Sequence, residues 1–261
     1  MNILCCFKIV NDLDLIMERD WDAAGSAGLD LSYAKKIINC FDEAGLETAL
    51  RIKESAEKRG EAVSITAVTI GNGNFDGFFK NLFAVGIDKI IQIKSDTASP
   101  FNPKKTAEIL CKAALDSDFN LIICGKQSAD GASGMTPYLL ARELSIPCIS
   151  NVTELKYENG AIRALCDTGA GSCKKTVHIP ALYTIGNSAN PYLRMATLKR
   201  KLAVSKMSAE LLELSAKPEE AAEPIELSRQ KSTRKCVFVE GETCAEMAKK
   251  LLADHPEVRN T

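Results

Sequence analysis

Histidine and aromatic residues are scarce in this chain. The two histidines, His178 and His255, lie far apart, and the ten cysteines contain no C-x-x-C pair, so the sequence offers no zinc site. Aromatics are 6% of the residues, too few for a base-stacking platform, and a formal net charge of −1 removes the electrostatic case for nucleic acid. No apolar run approaches the length of a membrane span. There is no Ser–His–Asp or Cys–His arrangement and no P-loop, and Gly71-Asn-Gly-Asn-Phe-Asp-Gly77 is not G-x-G-x-x-G. Catalysis by side chains alone is therefore disfavoured, as is a dehydrogenase of the usual dinucleotide-binding kind.

What remains is an ordinary globular composition. Hydrophobic residues are 46% of the 261, enough to bury a sizeable core as one large or two small domains. Cys5, Cys6, Cys124 and Cys148 lie within apolar strand-like runs, where a thiol acts as a small hydrophobe, and this points to a reducing compartment. Met1 to Val10 runs straight into a strand without a charged leader, so the expected location is the cytoplasm.

Along the chain, strand and helix patterns alternate. Residues 3–10 are mostly apolar, as a central parallel strand should be. Two strand-like pieces, Leu13–Met17 and Leu29–Tyr33, flank a hairpin tip at Ala23–Gly28. Helices are expected over Phe41–Lys58, Phe75–Val85, Pro103–Ser117 and Tyr138–Leu144, with Asn39 and Asp42 placed as caps of the first. Strands are expected at Ala62–Ile70, Lys89–Ile93, Asn120–Cys124 and around Pro147–Ser150. This rhythm is that of α/β architecture, a doubly wound parallel sheet. Val152–Tyr157, Ala161–Cys166 and Lys175–His178 read as a small antiparallel extension with a turn at Asn159-Gly160, and Ala181–Ile185 as a further apolar strand. Residues 1–206 form the expected α/β nucleotide-binding domain. Residues 207–261 read as a C-terminal arm, aperiodic to 234 and ending in a helix over 242–253.

The stretch Leu121 to Pro137 carries most of the functional information. A buried strand breaks into Gly125-Lys-Gln-Ser-Ala-Asp-Gly-Ala-Ser-Gly134, and a helix follows. Ligands of doubly wound sheets sit at the carboxyl ends of strands, and a small-residue loop there lets backbone N–H groups approach an anion beside a helix N-terminus. Asp130, Gly131, Ser133, Gly134 and Thr136 are candidates for phosphate or ribose contacts. The alternative is a plain strand–loop–helix corner in which Asp130 or Ser133 only caps the helix. Ile70, at the end of its strand, is a candidate wall for a base pocket.

Several segments, in order, resemble the beta subunit of electron transfer flavoprotein. Leu4-Cys-Cys-Phe-Lys-Ile-Val10 is similar to that family's first strand, and Ile38-Asn-Cys-Phe-Asp-Glu43 to the element opening its first long helix. Gly125-Lys-Gln-Ser-Ala-Asp-Gly131 resembles its nucleotide loop, and Arg194-Met-Ala-Thr-Leu198 its docking loop. Val239-Glu-Gly-Glu-Thr243 resembles its C-terminal tail. The resemblance implies a Rossmann-like adenine-nucleotide-binding fold and a heterodimer with an alpha subunit. That subunit holds most of one FAD, and the arm packs on it. The beta site takes AMP in ordinary members and a second FAD, which oxidises NADH, in electron-bifurcating ones. Redox chemistry then belongs to flavin, with the protein tuning and positioning it.

By the same resemblance Cys6 and Asn39 lie near the adenine, and Gly125, Lys126, Gln127 and Met135 belong to the nucleotide loop. Gly131 stands where bifurcating members have glycine. Ala132, Met135 and Pro137 depart from the pattern of both kinds. Arg194 and Leu198 are expected at the docking site for an acyl-CoA dehydrogenase or other flavin dehydrogenase. Lys199, Arg200, Lys201 and Lys206 either steer that partner or form a solvated face. A nucleotide-binding regulatory module on the same fold is the alternative of another class.

Overall fold

The computed structural model describes residues 1–23, 31, 33–95, 102–158, 161–214 and 238–255. The chain divides into two compact units, Met1–Ile225 and Glu226–Thr261. In the first, β1 (Asn2–Cys6) leads to a short β2 (Ile9–Asn11), a 3-10 turn at Leu13–Leu15 and α1 (Glu18–Ala23). β3 (Lys36–Ile38) pairs antiparallel with β2, and α2 (Cys40–Glu57) follows at once. Then come β4 (Ser64–Ile70), α3 (Asp76–Val85), β5 (Lys89–Lys94), α4 (Pro103–Leu115), β6 (Leu121–Gly125) and α5 (Thr136–Glu143). β7 (Cys148–Glu158), β8 (Ala161–Asp167), β9 (Ser172–Val177), β10 (Ala181–Ile185), α6 (Leu198–Ala203) and β11 (Glu210–Glu213) complete it. In the second unit α7 (Cys244–Asp254) is capped by Thr243, whose Oγ1 accepts the Glu246 N–H. Among the described residues no helix is long and apolar enough to cross a membrane.

The sheet order is β11-β5-β4-β1-β6-β10-β7-β8-β9, parallel from β11 through β7 and antiparallel beyond. One face is covered by α2 and α3, whose Leu46, Ile52, Phe79 and Leu82 join Ile3, Ile65 and Ile123 in one core. α4 and α5 cover the other face, where Ile109 and Leu140 meet Leu4, Val68, Ile122 and Leu182. Each such fully buried side chain contributes about 1.5–3 kcal/mol. The chain builds the sheet outward from β1 through β4 to β5 and then crosses to β6 on the other side of β1. That reversal opens a crevice at the carboxyl ends of β1, β4 and β6.

The doubly wound parallel sheet with its antiparallel extension is as expected, but several details differ. Leu13–Leu15 is a 3-10 turn running towards α1 and not a strand, and the strands of this region are β2 and β3. Of the hairpin tip expected at Ala23–Gly28, Ala23 ends α1; residues 24–28, most of the strand at 29–33 and the turn at Asn159-Gly160 lie outside the described residues. The strands expected at 147–150 and 152–157 are one, β7. Asn151, at a φ of +52°, marks the irregularity where β7 leaves its parallel partner β10 for its antiparallel partner β8. Residues 210–213, assigned from composition to the arm, form β11 on β5, so the sheet extends past the expected boundary at 206. Of the arm, 215–237 lie outside the described residues.

Asn39 and Asp42, expected as caps of α2, instead tie the start of that helix to other segments. Asn39 occupies the cap position without a capping hydrogen bond; its Nδ2 donates to the Gln127 carbonyl (2.8 Å) and its Oδ1 accepts from the Ala129 N–H (3.1 Å). Asp42 is buried and accepts the Lys8 N–H at 2.9 Å and the Gly125 N–H at 3.0 Å, joining the ends of β1 and β6. A Cβ on Gly125 would lie 2.3 Å from Asp42 Oδ1 and 2.9 Å from the Phe41 carbonyl carbon, so only glycine permits the approach. Burial pushes the Asp42 carboxyl from 3.8 up to about 7, against the opposing pull of its N–H donors.

The raised proton affinity gives the stability a definite pH dependence. Between 3.8 and about 7 the unfolded chain has lost this proton while the folded chain keeps it, so the stability contributed by Asp42 falls as pH rises through that window and is constant above it. In Asp42→Asn this dependence disappears. Urea denaturation on both sides of the window should show the wild-type stability falling relative to the variant as pH rises; parallel curves would contradict the assignment.

Candidate functional site

A cavity of about 320 Å³ opens at the crevice, walled by strand ends, by the β6–α5 loop and by α4. β1 and its exit supply Cys6, Phe7 and Lys8; β4 and its exit supply Ile70, Gly71 and Asn72. Ser95 follows β5, and Pro103, Thr106 and Leu110 come from α4. The floor is Cys124, Gly125, Asn39 and Asp42. Gln127, Ser128, Asp130, Ser133, Gly134, Thr136 and Pro137 form the loop side.

The loop side is rich in donors. The N–H groups of Asp130 to Gly134 find no acceptor among the described residues. Met135 caps α5 without a side-chain hydrogen bond, so the first turn of that helix is likewise uncapped. Gly131, Ala132 and Gly134 have φ of +72°, +42° and +63°. At Gly134 a Cβ would come within 3.1 Å of the Lys126 carbonyl. Asp130 forms an ion pair with Lys8 (Nζ–Oδ1 2.8 Å), so the loop's one carboxylate is balanced by a lysine from the opposite wall. The strand side is quieter. The hydrogen bond with Cys6, together with burial, holds the Cys124 thiol well above its ordinary range, so its sulfur presents neutral, polarizable surface.

The residues expected from sequence fall in three groups. Cys6, Asn39, Ile70, Gly125, Gln127, Asp130, Ser133, Gly134 and Thr136 are brought together on the cavity. Lys126, Gly131 and Met135 are in the same loop but do not line it: Lys126 Nζ lies 4.6 Å from the centre of the Phe41 ring, and Gly131 and Met135 are exposed. Arg194 and Leu198 lie elsewhere, after β10. Arg194 is turned onto α2, where its Nε donates to Glu47 Oε2 (3.0 Å) and its Nη2 to Glu47 Oε1 (2.9 Å), with further bonds to Glu54. Leu198 opens α6 and is 73% exposed.

Sequence reasoning missed Lys8, Phe7, Asn72, Ser95, Ser128 and the α4 residues. Lys8 sits at the end of the first strand, where the rule on strand carboxyl ends would have found it. Ser128 lies inside the loop itself. Thr106 and Leu110 had no local signal, since only packing decides which face of α4 meets the loop.

Comparison with known proteins places this architecture. Residues 29–216 match the model of the family described as Electron transfer flavoprotein domain. The chain is 32% identical to the electron transfer flavoprotein subunit beta of Bacillus subtilis (strain 168) over 224 residues, 82% of this chain and 84% of that one. It is similar over nearly its whole length to YgcR of Escherichia coli (strain K12), with 27% identity over 98% of this chain and 97% of the other. A third relative, the electron transfer flavoprotein subunit beta of Syntrophomonas wolfei subsp. wolfei (strain DSM 2245B / Goettingen), is 26% identical over 85% of this chain and 88% of its own. The resemblance read from the Gly125–Gly131 and Arg194–Leu198 segments is thus matched across most of the sequence, and the chain belongs to the electron transfer flavoprotein family as a beta-subunit-like member.

Proposed function

We propose that this chain pairs with an alpha subunit as an electron carrier between dehydrogenases, and that its cavity holds an adenine nucleotide. The supporting observation is the row of N–H groups from Asp130 to Gly134, without acceptors among the described residues, beside the uncapped start of α5 at the carboxyl ends of parallel strands. Of these residues Asp130, Ser133 and Gly134 line the cavity, and backbone donors beside a helix N-terminus suit phosphate oxygens. Cys6, Ile70 and Cys124 provide the apolar surface for a base, and Asn39 and Asp42 hold the loop in register with it. Lys8 occupies Asp130, so the loop side carries no uncompensated negative charge of its own. The flavin of the heterodimer supplies the electron-carrying chemistry; the residues of this chain bind, orient and shield.

The cavity volume of about 320 Å³ lies at the small end of ligand sites, about 300–1,000 Å³, and suits a ligand of AMP size. A second FAD that oxidises NADH is supported by one feature, Gly131 at the position where ordinary members carry an acid. Denaturing the purified heterodimer and separating its nucleotides distinguishes the two: one FAD with one AMP supports the carrier, two FAD the bifurcating component, and no adenine nucleotide beyond a single FAD sinks the cavity assignment.

Two variants test the parts. Gly134→Val places a β-branched residue at positive φ against the Lys126 carbonyl, and the strain of about 1–2 kcal/mol should weaken AMP retention about tenfold. Unchanged nucleotide content in a folded variant would refute the loop assignment. Leu198→Ala should raise the half-saturating concentration of a reduced acyl-CoA dehydrogenase about tenfold while flavin and AMP content stay constant. Loss of flavin instead would place Leu198 in the core.

A further inference from the structure

We infer that Arg194 is a positioning residue: through Glu47 and Glu54 of α2 it fixes the segment that presents Met195, Leu198 and Leu202, and it makes no contact with the partner itself. The inference builds on the reading of Leu198 as a docking residue. It rests on how the chain between β10 and α6 is held. Residues 186–197 form no helix or strand. They are held by the Gly186 N–H bond to the Val152 carbonyl, by Leu193 and Ala196 on the core, and by carboxylates along one stripe of α2. The Arg194 N–H donates to Glu47 Oε2 at 3.2 Å, and the guanidinium spans Glu47 and Glu54.

Four of the five guanidinium donors are taken by these two carboxylates, which leaves almost nothing to offer an acidic partner. Glu47 has a side chain only 3% exposed and also accepts Arg51 Nε at 2.8 Å, so it is a charge that requires Arg194 to stay buried. The bond to Arg194 holds the Glu54 carboxyl below its usual range, in keeping with a pair already formed.

The anchor sorts its neighbours. Leu193 and Ala196 pack on the core, whereas Met195 is 91% exposed. Leu198 and Leu202, four residues apart on α6, are also exposed. Thr197 caps α6 by accepting the Arg200 N–H, and α6 lies against α3. An apolar face flanked by Lys199, Arg200 and Lys201 is therefore held out by an ion-pair network turned the other way. Such a face suits a partner with an apolar pocket rimmed by acids.

The test uses the heterodimer carrying Arg194→Met, Arg194→Lys, Glu47→Gln and the Met/Gln double variant. Amide hydrogen exchange over 195–204 is read beside flavin and nucleotide content. The half-saturating concentration of a reduced acyl-CoA dehydrogenase is read beside the plateau rate. If Arg194 positions, Arg194→Met and Glu47→Gln both speed exchange over 195–204 by about tenfold or more and both raise half-saturation, with plateau rate and cofactor content unchanged. Arg194→Lys is intermediate, and the double variant is no worse than Arg194→Met. If Arg194 touches the partner, Glu47→Gln frees it, so wild-type exchange and unchanged or tighter half-saturation in Glu47→Gln overturn the inference. Should Arg194→Met fail to fold, Glu47→Gln and Arg194→Lys decide alone. If exchange responds as expected but Leu198→Ala docks like the wild type, the docking reading falls and the anchoring role stands.

Discussion

Everything at the cavity depends on a carboxylate that has been taken out of water. Asp42 accepts one N–H from the exit of β1 and one from the end of β6, the two strands that flank the reversal in sheet order. Without such a tie the two chain exits would diverge, because a parallel ladder constrains nothing beyond its last hydrogen bond. The cost of burying the group is visible in its raised proton affinity. Gly125 completes the joint, since any side chain there would occupy the space of the carboxylate. Asn39, one turn earlier, fastens the loop beyond Gly125 in the same way. A ligand site made of loop backbone needs such support, because its donors are useful only when they do not relax towards one another.

α2 is consequently more than a packing helix. Its first turn braces the cavity loop, and its middle turns carry the acids that hold the segment after β10. Its other face fills the core with Leu46, Ala49 and Ile52. The periodicity that marks it as amphipathic describes only this last role. Several of its polar residues, Asp42, Glu47 and Glu54, are structural fasteners.

That difference explains what could be read from the sequence. Apolar runs such as Leu121–Cys124 and Ala181–Ile185 announced buried strands because every side chain in them is in the core. The small-residue loop marked the segment that lines the cavity, because glycine and serine there have a local physical reason. β2, β3 and α6 were missed because three to six residues hold too little periodic signal. β11 was missed because its strand character comes from its neighbour β5, and an exposed edge carries no apolar pattern of its own. Asn39 stands at the expected cap position but makes no capping bond, and Asp42 lies inside the first turn of α2; both are long-range ties, which use the same residue types as caps. Arg194 was expected in a docking segment by resemblance alone, and the direction of its side chain depends on Glu47, 147 positions away in the chain.

The sheet's two borders have a consequence for solubility. β5 is an almost wholly buried strand, and as a border it would expose a flat apolar template for another chain. β11 covers it with a short segment bounded by Glu210 and Glu213, and Glu210 is paired to Lys89 at 2.6 Å. At the far border β9 carries exposed Lys174 and Lys175. A second copy approaching either border in register would bring like charges side by side, acids on one and lysines on the other. The sheet open at its strand ends is thereby disfavoured from growing along its sides.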